Sequence, residues 1–203
     1  MLTAHHPPNP RPGSSRAGED DDGSAIRRPA RLELRDRTRK QHEATEEAFA
    51  AYDLSNRDHY RAFLTAHAIA LPGLEIAVTG RGWKGFQPRL PLLADDLAAL
   101  GTWLPTPMIA SDTSDAGAWG VQYVLEGSKL GGRLLARGLA ADVPCNYLCP
   151  AATMSAEWQA FCAAFDEAAI MQDSAWLEEA IDAAIESFQF FRRAAMCIAE
   201  DLV

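Results

Sequence analysis

Three glycines inside one helix-forming stretch limit what this chain can fold into more than any other feature. Residues 118–139 read AWGVQYVLEGSKLGGRLLARGL, and their apolar side chains recur at helical spacing, at Tyr123, Val124, Leu130, Leu134 and Leu135. Gly127, Gly131 and Gly132 lie in the middle of this stretch. Each costs about 1 kcal/mol relative to alanine inside a helix. Together they give up about 3 kcal/mol, where the stability of a whole domain is typically about 5–15 kcal/mol.

The glycines have two possible purposes. Gly120, Gly127 and Gly131 fall on one helix face beside Tyr123, which leaves a strip of bare backbone. Such a strip suits either a neighbouring helix that packs closely or a bulky, flat ligand. Taken alone, this stretch favours the packing interpretation, because glycines within helices usually serve packing.

A second helix is unusual in a complementary way. Residues 31–52 predict an amphipathic helix whose inner face carries Leu34, Thr38, Gln41, His42, Thr45, Ala48, Phe49 and Tyr52. The middle of this face is small and weakly polar, where leucine or isoleucine would normally fill a core. Seven of the 19 basic residues lie between positions 27 and 40, against the preference of the helix dipole. This cluster either meets an anionic ligand or forms a solvated charged face.

The remaining segments also predict helices. A capping box at Ser55 to Asp58 opens a helix that runs to about Val78, in which Pro72 and Gly73 are expected to cause a bend or an interruption. Later helices are expected over about 91–100 with Gly101 as a C-cap, over about 115–140, from a Ser155 cap to about 171, and from Asp173 or Ser174 to 201. No alternating β pattern is present. We predict an all-α, multi-helical single domain over residues 30–203, after a disordered tail at residues 1–29.

Composition excludes several classes of function. A net charge of −9 gives no electrostatic case for nucleic acid binding, and no apolar run approaches the length of a membrane span. We expect a cytoplasmic protein without a signal peptide. Its four cysteines fit a reducing compartment, and Cys145 and Cys149 are interpreted as ordinary thiols rather than as a disulfide or zinc ligands. His59 and His67 are interpreted as structural histidines.

The two unusual helices together predict a haem site. If they face each other across a gap, that gap is flat and apolar, with an imidazole on one side and bare backbone on the other. Haem iron takes one axial histidine and can leave its opposite face open. Glu46, one turn after His42, can accept the ring N–H of the iron-bound histidine. The basic start of the first helix could meet the propionates.

The motifs in these helices resemble those of a known family. LRDRTRKQHEATEE and YVLEGSKLGGRLL are similar to the proximal and distal helix motifs of haem oxygenases, most closely the bacterial subgroup associated with bacteriophytochromes. The segment DLSxxxxYxxFL at residues 53–64 is similar too, and the resemblance covers about residues 31–203. It implies a haem-oxygenase-like fold and an enzyme that uses haem as both cofactor and substrate. It also implies a reaction with O₂ and an external electron donor such as ferredoxin that releases biliverdin, CO and iron. The subgroup it resembles further implies that the product supplies the chromophore of a bacteriophytochrome.

The resemblance also assigns roles to residues. It implies that His42 binds the iron and that Glu46 is its partner. Thr38 and Thr45 would line the proximal face, Arg35 would lie near a propionate, and Tyr123 would lie near the haem edge. The distal kink would consist of Gly127, Ser128, Gly131 and Gly132.

Two departures from the family pattern accompany the resemblance. Ser128 stands where many members carry an aspartate that organises distal waters, and a hydroxyl supplies no charge. Near Trp158, Gln159 and Ala163 replace basic residues that grip propionates elsewhere. A haem-binding or haem-sensing protein without efficient turnover is therefore an alternative on the same scaffold. Related scaffolds that bind thiamine-type pyrimidines or two metal ions are further alternatives, although the sequence has no Glu-x-x-His pair for the latter.

Overall fold

The computed structural model describes residues 28–149 and 153–200 and folds them into six α-helices. In chain order these are α1 (Ala30–Phe49), α2 (Arg57–Ala77), α3 (Leu90–Ala99), α4 (Asp115–Leu135), α5 (Met154–Ile170) and α6 (Ser174–Ala199). A short 3-10 turn, Ala136–Gly138, extends α4. The two described ranges contain no strand, so the all-α prediction is confirmed. The predicted tail lies outside the described residues except for its last two positions, and so does Asp201, the expected end of the last helix.

Two predicted helix ends agree with the structure. Gly101 has a positive φ of 74° directly after the last turn of α3, a conformation that glycine adopts at little cost. The Asp173 carboxylate accepts a hydrogen bond from the Trp176 N–H and so caps α6.

Three expectations about helix geometry are wrong. Asn56, rather than Ser55, caps α2, because its side-chain oxygen accepts hydrogen bonds from the Asp58 and His59 N–H groups. Helix α5 begins one residue before Ser155, after Thr153, with no side-chain cap. Helix α2 continues through Pro72 to Ala77 without interruption.

Gly73 in α2 has a packing role instead. A Cβ at this position would press on the backbone of the 102–114 loop at the Met108 carbonyl oxygen. The Met108 N–H donates to the Ile69 carbonyl oxygen of α2 at 2.8 Å, so the loop lies directly along this helix. The missing side chain at Gly73 therefore allows the loop to cover α2.

Helix α6 is the centre of the molecule. Helices α1, α2 and α4 all pack mainly against it, and its apolar side is fully buried among them, at Ala180, Ile181, Ala184, Phe188, Phe191, Ala194 and Ala195. Helix α4 crosses α6 at Gly120, where an added Cβ would overlap the Ala180 carbonyl oxygen. Helix α5 lies against both α1 and α4. Helices α1 and α4 therefore share α5 and α6 as neighbours.

The C-terminal half of α4 extends beyond this packing. Leu130, Leu134 and Leu135, which belong to the apolar helical pattern, are 37, 65 and 42% exposed. The helical spacing was interpreted correctly, but no described helix covers this face. Among the described residues, no helix has the length and apolarity needed to cross a membrane.

Candidate functional site

His42 presents an accessible imidazole. Its side chain is 52% exposed on α1, and the edge of its ring meets the ring of Phe188 on α6, with 5.4 Å between the centroids. Its Nδ1 lies 3.5 Å from the Glu46 carboxylate, longer than an ordinary hydrogen bond but within ion-pair distance. A carboxylate next to Nδ1 favours the tautomer that leaves Nε2 unprotonated, and Nε2 is then free to bind a metal.

The two threonines on α1 are held by backbone carbonyls. The Thr38 hydroxyl is buried and donates to the Leu34 carbonyl oxygen at 2.8 Å. The Thr45 hydroxyl lies within 3.0 Å of the carbonyl oxygens of both Gln41 and Phe188. Because these hydroxyls are already engaged, the positions that flank His42 are small and weakly polar.

The glycines of α4 do not form one surface. A Cβ at Gly131 would meet no atom of the described residues within 4 Å, and one at Gly127 would meet only the Trp158 ring, at 3.6 Å. Gly132 lies on another face, where a Cβ would approach Leu148 to 3.2 Å. Gly127 and Gly131 therefore expose bare backbone, whereas Gly132 packs. The close helix packing that the sequence favoured occurs at Gly120 instead.

Tyr123 joins the two unusual helices. Burial raises the pKa of its hydroxyl, while the nearby Thr38 hydroxyl and the Arg35 guanidinium act to lower it. Thr38 lies one turn before His42, and Tyr123 lies one turn before Gly127. Tyr123 of α4 therefore lies near Thr38 and Arg35 of α1.

Ser128 is tied to a buried cation. The Arg89 guanidinium donates to the Ser128 hydroxyl at 2.6 Å and to the Leu125 carbonyl oxygen at 3.1 Å. It also lies 4.8 Å from the centre of the Tyr147 ring, and its charge acts to lower the pKa values of the nearby Glu75 and Glu126 carboxyls. Nothing in the sequence pattern singles out Arg89, because an arginine in a turn-rich link is usually solvated.

A buried ion pair lies next to Ser128. The Lys129 ammonium is 2.7 Å from the Glu126 carboxylate, and the two side chains are 8 and 1% exposed. Burial raises the pKa of Glu126, and Lys129 opposes this rise. Glu157 of α5 lies 3.7 Å from the same ammonium, so the pair also links α4 to α5. This pair was missed as well, since EGSKL reads as an ordinary surface pattern.

The basic cluster at the start of α1 is largely paired with carboxylates. Arg28 and Arg35 both bind Asp36 and lower its pKa, Arg31 binds Asp166, and Arg37 binds Glu178. These arginines therefore contribute mainly to a charged face. Arg35 nevertheless remains 62% exposed beside Tyr123.

Cys145 and Cys149 are joined by a disulfide, which corrects their interpretation as thiols. The turn between them brings their Cα atoms to 5.4 Å, within the range that a disulfide spans. The backbone N–H groups of Asn146 and Tyr147 donate to the buried Asp96 carboxylate at 3.0 and 2.8 Å. The bridged turn therefore packs on α3, and its Leu148 packs on Gly132 of α4.

His67 lies in a cage of aromatic rings. Its Nδ1 is 3.0 Å from the Phe63 carbonyl oxygen, and the rings of Phe49, Phe63, Tyr147 and Phe191 surround it with centroid distances of 4.3 to 5.5 Å. Burial lowers its pKa to about 4, so it is neutral at pH 7. The structure thus agrees with a structural role for this histidine.

The residues present fit a haem. An exposed imidazole with a carboxylate behind it can hold the iron, and the open backbone of Gly127 and Gly131 can accept a flat macrocycle. Phe188 contacts the ring of His42, and Trp158 lies beside Gly127. The arrangement suits a ligand bound through one axial histidine.

The chain is similar to known haem oxygenases in both sequence and fold. It is 32% identical over 146 residues to a haem oxygenase of Xanthomonas campestris pv. campestris (strain 8004), an alignment that covers 66% of this chain and 87% of that protein. Its fold matches the crystal structure of the NO- and CO-bound haem oxygenase from Neisseria meningitidis with a TM-score of 0.70, 18% identity, and coverage of 85% of this chain and 92% of the other. No protein-family model matches the chain.

Proposed function

Because the chain belongs to the haem oxygenase family and is therefore an enzyme that degrades haem, we propose that His42 is its iron ligand. The observation that carries this proposal is the exposed imidazole of His42 with Glu46 at its Nδ1. Glu46 accepts the ring N–H, which fixes the tautomer and makes Nε2 a better donor to iron. Thr38 and Thr45 keep the surface beside the imidazole small enough for a macrocycle to lie flat.

The side of α4 that faces open space is the proposed O₂-binding side. Gly127 and Gly131 bring the main chain close to the bound ligand, and the lack of side chains leaves room for a diatomic molecule. When bound, haem supplies the iron that activates O₂ and the macrocycle that is opened. Ser128 holds a water near that space by a hydrogen bond, and Arg89 fixes the orientation of the Ser128 hydroxyl. Gly132 supports this backbone from behind, through Leu148.

Arg35 and Tyr123 are the proposed contacts of the haem edge. The Tyr123 hydroxyl and the exposed Arg35 guanidinium lie together where α1 and α4 meet. A guanidinium and a phenol both donate hydrogen bonds to a carboxylate, so they can bind one propionate. Arg35 would then exchange part of its contact with Asp36 for the propionate.

The proposed reaction is the O₂- and reductant-dependent opening of haem to biliverdin, CO and iron. Electrons must come from outside, because the sequence contains no flavin or iron–sulfur motif, and a ferredoxin is the proposed donor. Biliverdin can serve as the chromophore of a bacteriophytochrome, and we propose this as the use of the product. The resemblance of the two helix motifs to the phytochrome-associated subgroup supports this assignment.

The test is a haemin titration followed by turnover. We expect a Soret band that saturates at one haem per chain, and we expect ascorbate under air to replace it with biliverdin absorbance. His42→Ala should weaken haem binding at least about tenfold, because the axial bond is lost. His59→Ala, a histidine outside the site, is the matched control and should behave like the wild type. A Soret band identical in the wild type and His42→Ala would contradict the assignment of the iron ligand.

A further inference from the structure

We propose that the Cys145–Cys149 disulfide is a thiol-exchange site, and that its opening by a small thiol of the glutathione class slows haem turnover. The bridge joins two cysteines four positions apart, in the connection between α4 and α5. The effect on turnover rests on the proposed function. The opening of the bridge and its effect on α4 do not.

The bridge is accessible to a thiol from solution. Cys149 is exposed and Cys145 is half-buried, so a thiolate reaches the Cys149 sulfur more easily. Exposed disulfides are typically the labile or regulatory ones. The stabilisation that a disulfide provides also grows with the length of the loop it closes, and this loop is very short. Reversible opening therefore suits this bridge better than a purely structural role.

The turn has a second attachment that does not depend on sulfur. The backbone N–H groups of Asn146 and Tyr147 donate to the buried Asp96 carboxylate at 3.0 and 2.8 Å. The side-chain amide of Asn146 donates to the same carboxylate at 2.8 Å. Opening the bridge would therefore free the ends of the turn while its centre stays on α3. The expected result is a local rearrangement rather than unfolding.

Tyr147 connects the turn to the proposed site. Its side chain is buried, and its ring centre lies 4.8 Å from the Arg89 guanidinium. That guanidinium donates to the Ser128 hydroxyl at 2.6 Å and to the Leu125 carbonyl oxygen at 3.1 Å. A cation is attracted to the face of an aromatic ring, so the position of the ring helps to fix the position of the cation. The bridged turn therefore acts on Ser128 through two contacts.

Leu148 provides a second connection to α4. It packs on Gly132, where an added Cβ would approach its side chain to 3.2 Å. Leu148 and Tyr147 both lie between the bridged cysteines, so one covalent bond constrains both contacts with α4. His42, in contrast, belongs to α1 and contacts Glu46 and Phe188. Opening the bridge should therefore affect turnover more than haem binding.

The exchange proceeds in two balanced steps. A glutathione thiolate attacks the Cys149 sulfur, the bond between the two cysteines breaks, and Cys145 leaves as a thiolate. A second glutathione thiolate attacks the glutathione sulfur of this mixed disulfide, and Cys149 leaves as a thiolate. The bridge gains two electrons, two glutathione thiols become one disulfide, and their two protons pass to the two cysteines. Oxidised glutathione reverses both steps.

The first measurement is a titration of the bridge in the full, haem-free chain. The protein is equilibrated at a series of ratios of reduced to oxidised glutathione, and its free thiols are then labelled with a maleimide after denaturation. We expect two labelled cysteines, Cys162 and Cys197, at the oxidising end and four at the reducing end. A bridge that stays closed in a large excess of reduced glutathione would overturn the inference.

The second measurement compares turnover with the bridge closed and open. Oxidised wild type and Cys145→Ser/Cys149→Ser, which cannot form the bridge, are assayed with haem and ascorbate after glutathione is removed. We expect the kcat of the open form to fall about tenfold and its Kd for haem to change less than about twofold, as for a lost supporting contact. The matched control, Cys197→Ser, removes an exposed thiol elsewhere and should keep both values. An unchanged kcat, or equal losses in kcat and haem affinity, would contradict a specific effect on turnover.

A third variant tests the route through Arg89. Tyr147→Leu keeps the bridge but removes the ring beside the guanidinium. We expect its kcat to be low with the bridge closed and to fall no further when the two cysteines are also replaced. Such non-additivity indicates that the ring and the bridge act through one pathway. Independent, additive losses would show that the bridge does not act through Tyr147.

Hydrogen exchange separates this inference from the proposed function. In the haem-free protein, amide exchange over residues 125–132 should be faster with the bridge open than closed, while exchange in α1 should not change. This comparison tests the inference even if no haem is consumed. Unchanged exchange in α4 would overturn it. Failure of the oxidised wild type to degrade haem would instead contradict the proposed function.

Discussion

Arg89 gives the Ser128 position a charge of unexpected sign. Many family members have a carboxylate at this position, whereas this chain has a hydroxyl that accepts from a buried guanidinium. A hydrogen bond to a charged group contributes about 1.5–3 kcal/mol, so this contact holds Ser128 firmly. Water bound to Ser128 would therefore lie next to a hydroxyl whose orientation a buried guanidinium holds.

His67 provides a test of the aromatic cage. Its pKa is about 4 in the folded state and about 6.5 in the unfolded state, so the unfolded chain binds more protons between these values. The free energy of unfolding should therefore fall as the pH decreases from about 6.5 to about 4. From pH 7 to pH 5 this residue should cost about 2 kcal/mol. Urea denaturation of the wild type and of His67→Gln at both pH values measures the difference.

The comparison of the two proteins is needed because other buried groups titrate in the same range. Glu75 and Glu126 have pKa values raised by burial, and their protonation changes stability in the opposite direction. Arg89 is the charged group that acts on His67, and its positive charge helps to lower the pKa of the imidazole. An equal loss of stability in the wild type and His67→Gln would show that the cage does not hold the imidazole neutral.

The sequence could single out His42 but not Arg89. His42 lies on a helix face where a large apolar residue is expected. Gly127 and Gly131 lie inside a helix, where glycine lowers stability. Each of the three therefore departs from the local sequence pattern. Arg89, Glu126 and Lys129 break none, because a charged residue is ordinary on any surface. Their burial depends on which helices meet, and a linear pattern does not contain that information.

At the scale of the helix, Gly120 and Gly131 lie on one face of α4 but have different roles. Gly120 allows close packing on α6, whereas Gly131 leaves its side of the helix open. Gly131→Ala should raise the free energy of unfolding by up to about 1 kcal/mol, because alanine favours the helix and its Cβ meets no described atom. Gly120→Ala should lower it by about 2–3 kcal/mol, because its Cβ would overlap the Ala180 carbonyl oxygen. Thermal and urea unfolding of the two variants measure both effects.

Haem turnover then decides whether Gly131 serves the site. We expect Gly131→Ala to be a more stable but slower enzyme, since its methyl group would enter the space proposed for O₂. Gly138→Ala, with no described atom near its Cβ and outside α4, is the control and should keep wild-type turnover. Full activity in Gly131→Ala would place the O₂-binding side elsewhere.

The number and order of the helices could be predicted, whereas several of their ends and exposed faces could not. Helical periodicity is a local property, so all six helices are visible in the sequence. A cap depends on which polar side chain accepts from the first N–H groups of the helix, and Asn56 does so rather than Ser55. Leu134 is exposed because no described helix packs over it, and hydrophobic periodicity does not show which helices pack together.

At the scale of the whole molecule, one bridged turn holds three regions together. The segment from Cys145 to Cys149 packs on α3 through Asp96, on α4 through Leu148, and on the guanidinium of Arg89 through Tyr147. It also connects the end of α4 to the start of α5. The turn therefore supports α4 on the side opposite the proposed site, although it is about 100 residues from His42 in the sequence.

Breaking this disulfide should loosen the support behind α4. Closing so short a loop restricts the unfolded chain by about 2 kcal/mol, so reduction or Cys145→Ser/Cys149→Ser should lower the free energy of unfolding by about that amount. Cys197→Ser removes an exposed free thiol and is the control. Thiol labelling of the denatured protein before reduction should find two free cysteines, Cys162 and Cys197. Four labelled thiols, together with equal stability in all variants, would contradict the disulfide. The hydrogen bonds to Asp96 would then hold the turn, and Cys145 and Cys149 would be free thiols in the native protein, as expected from the sequence.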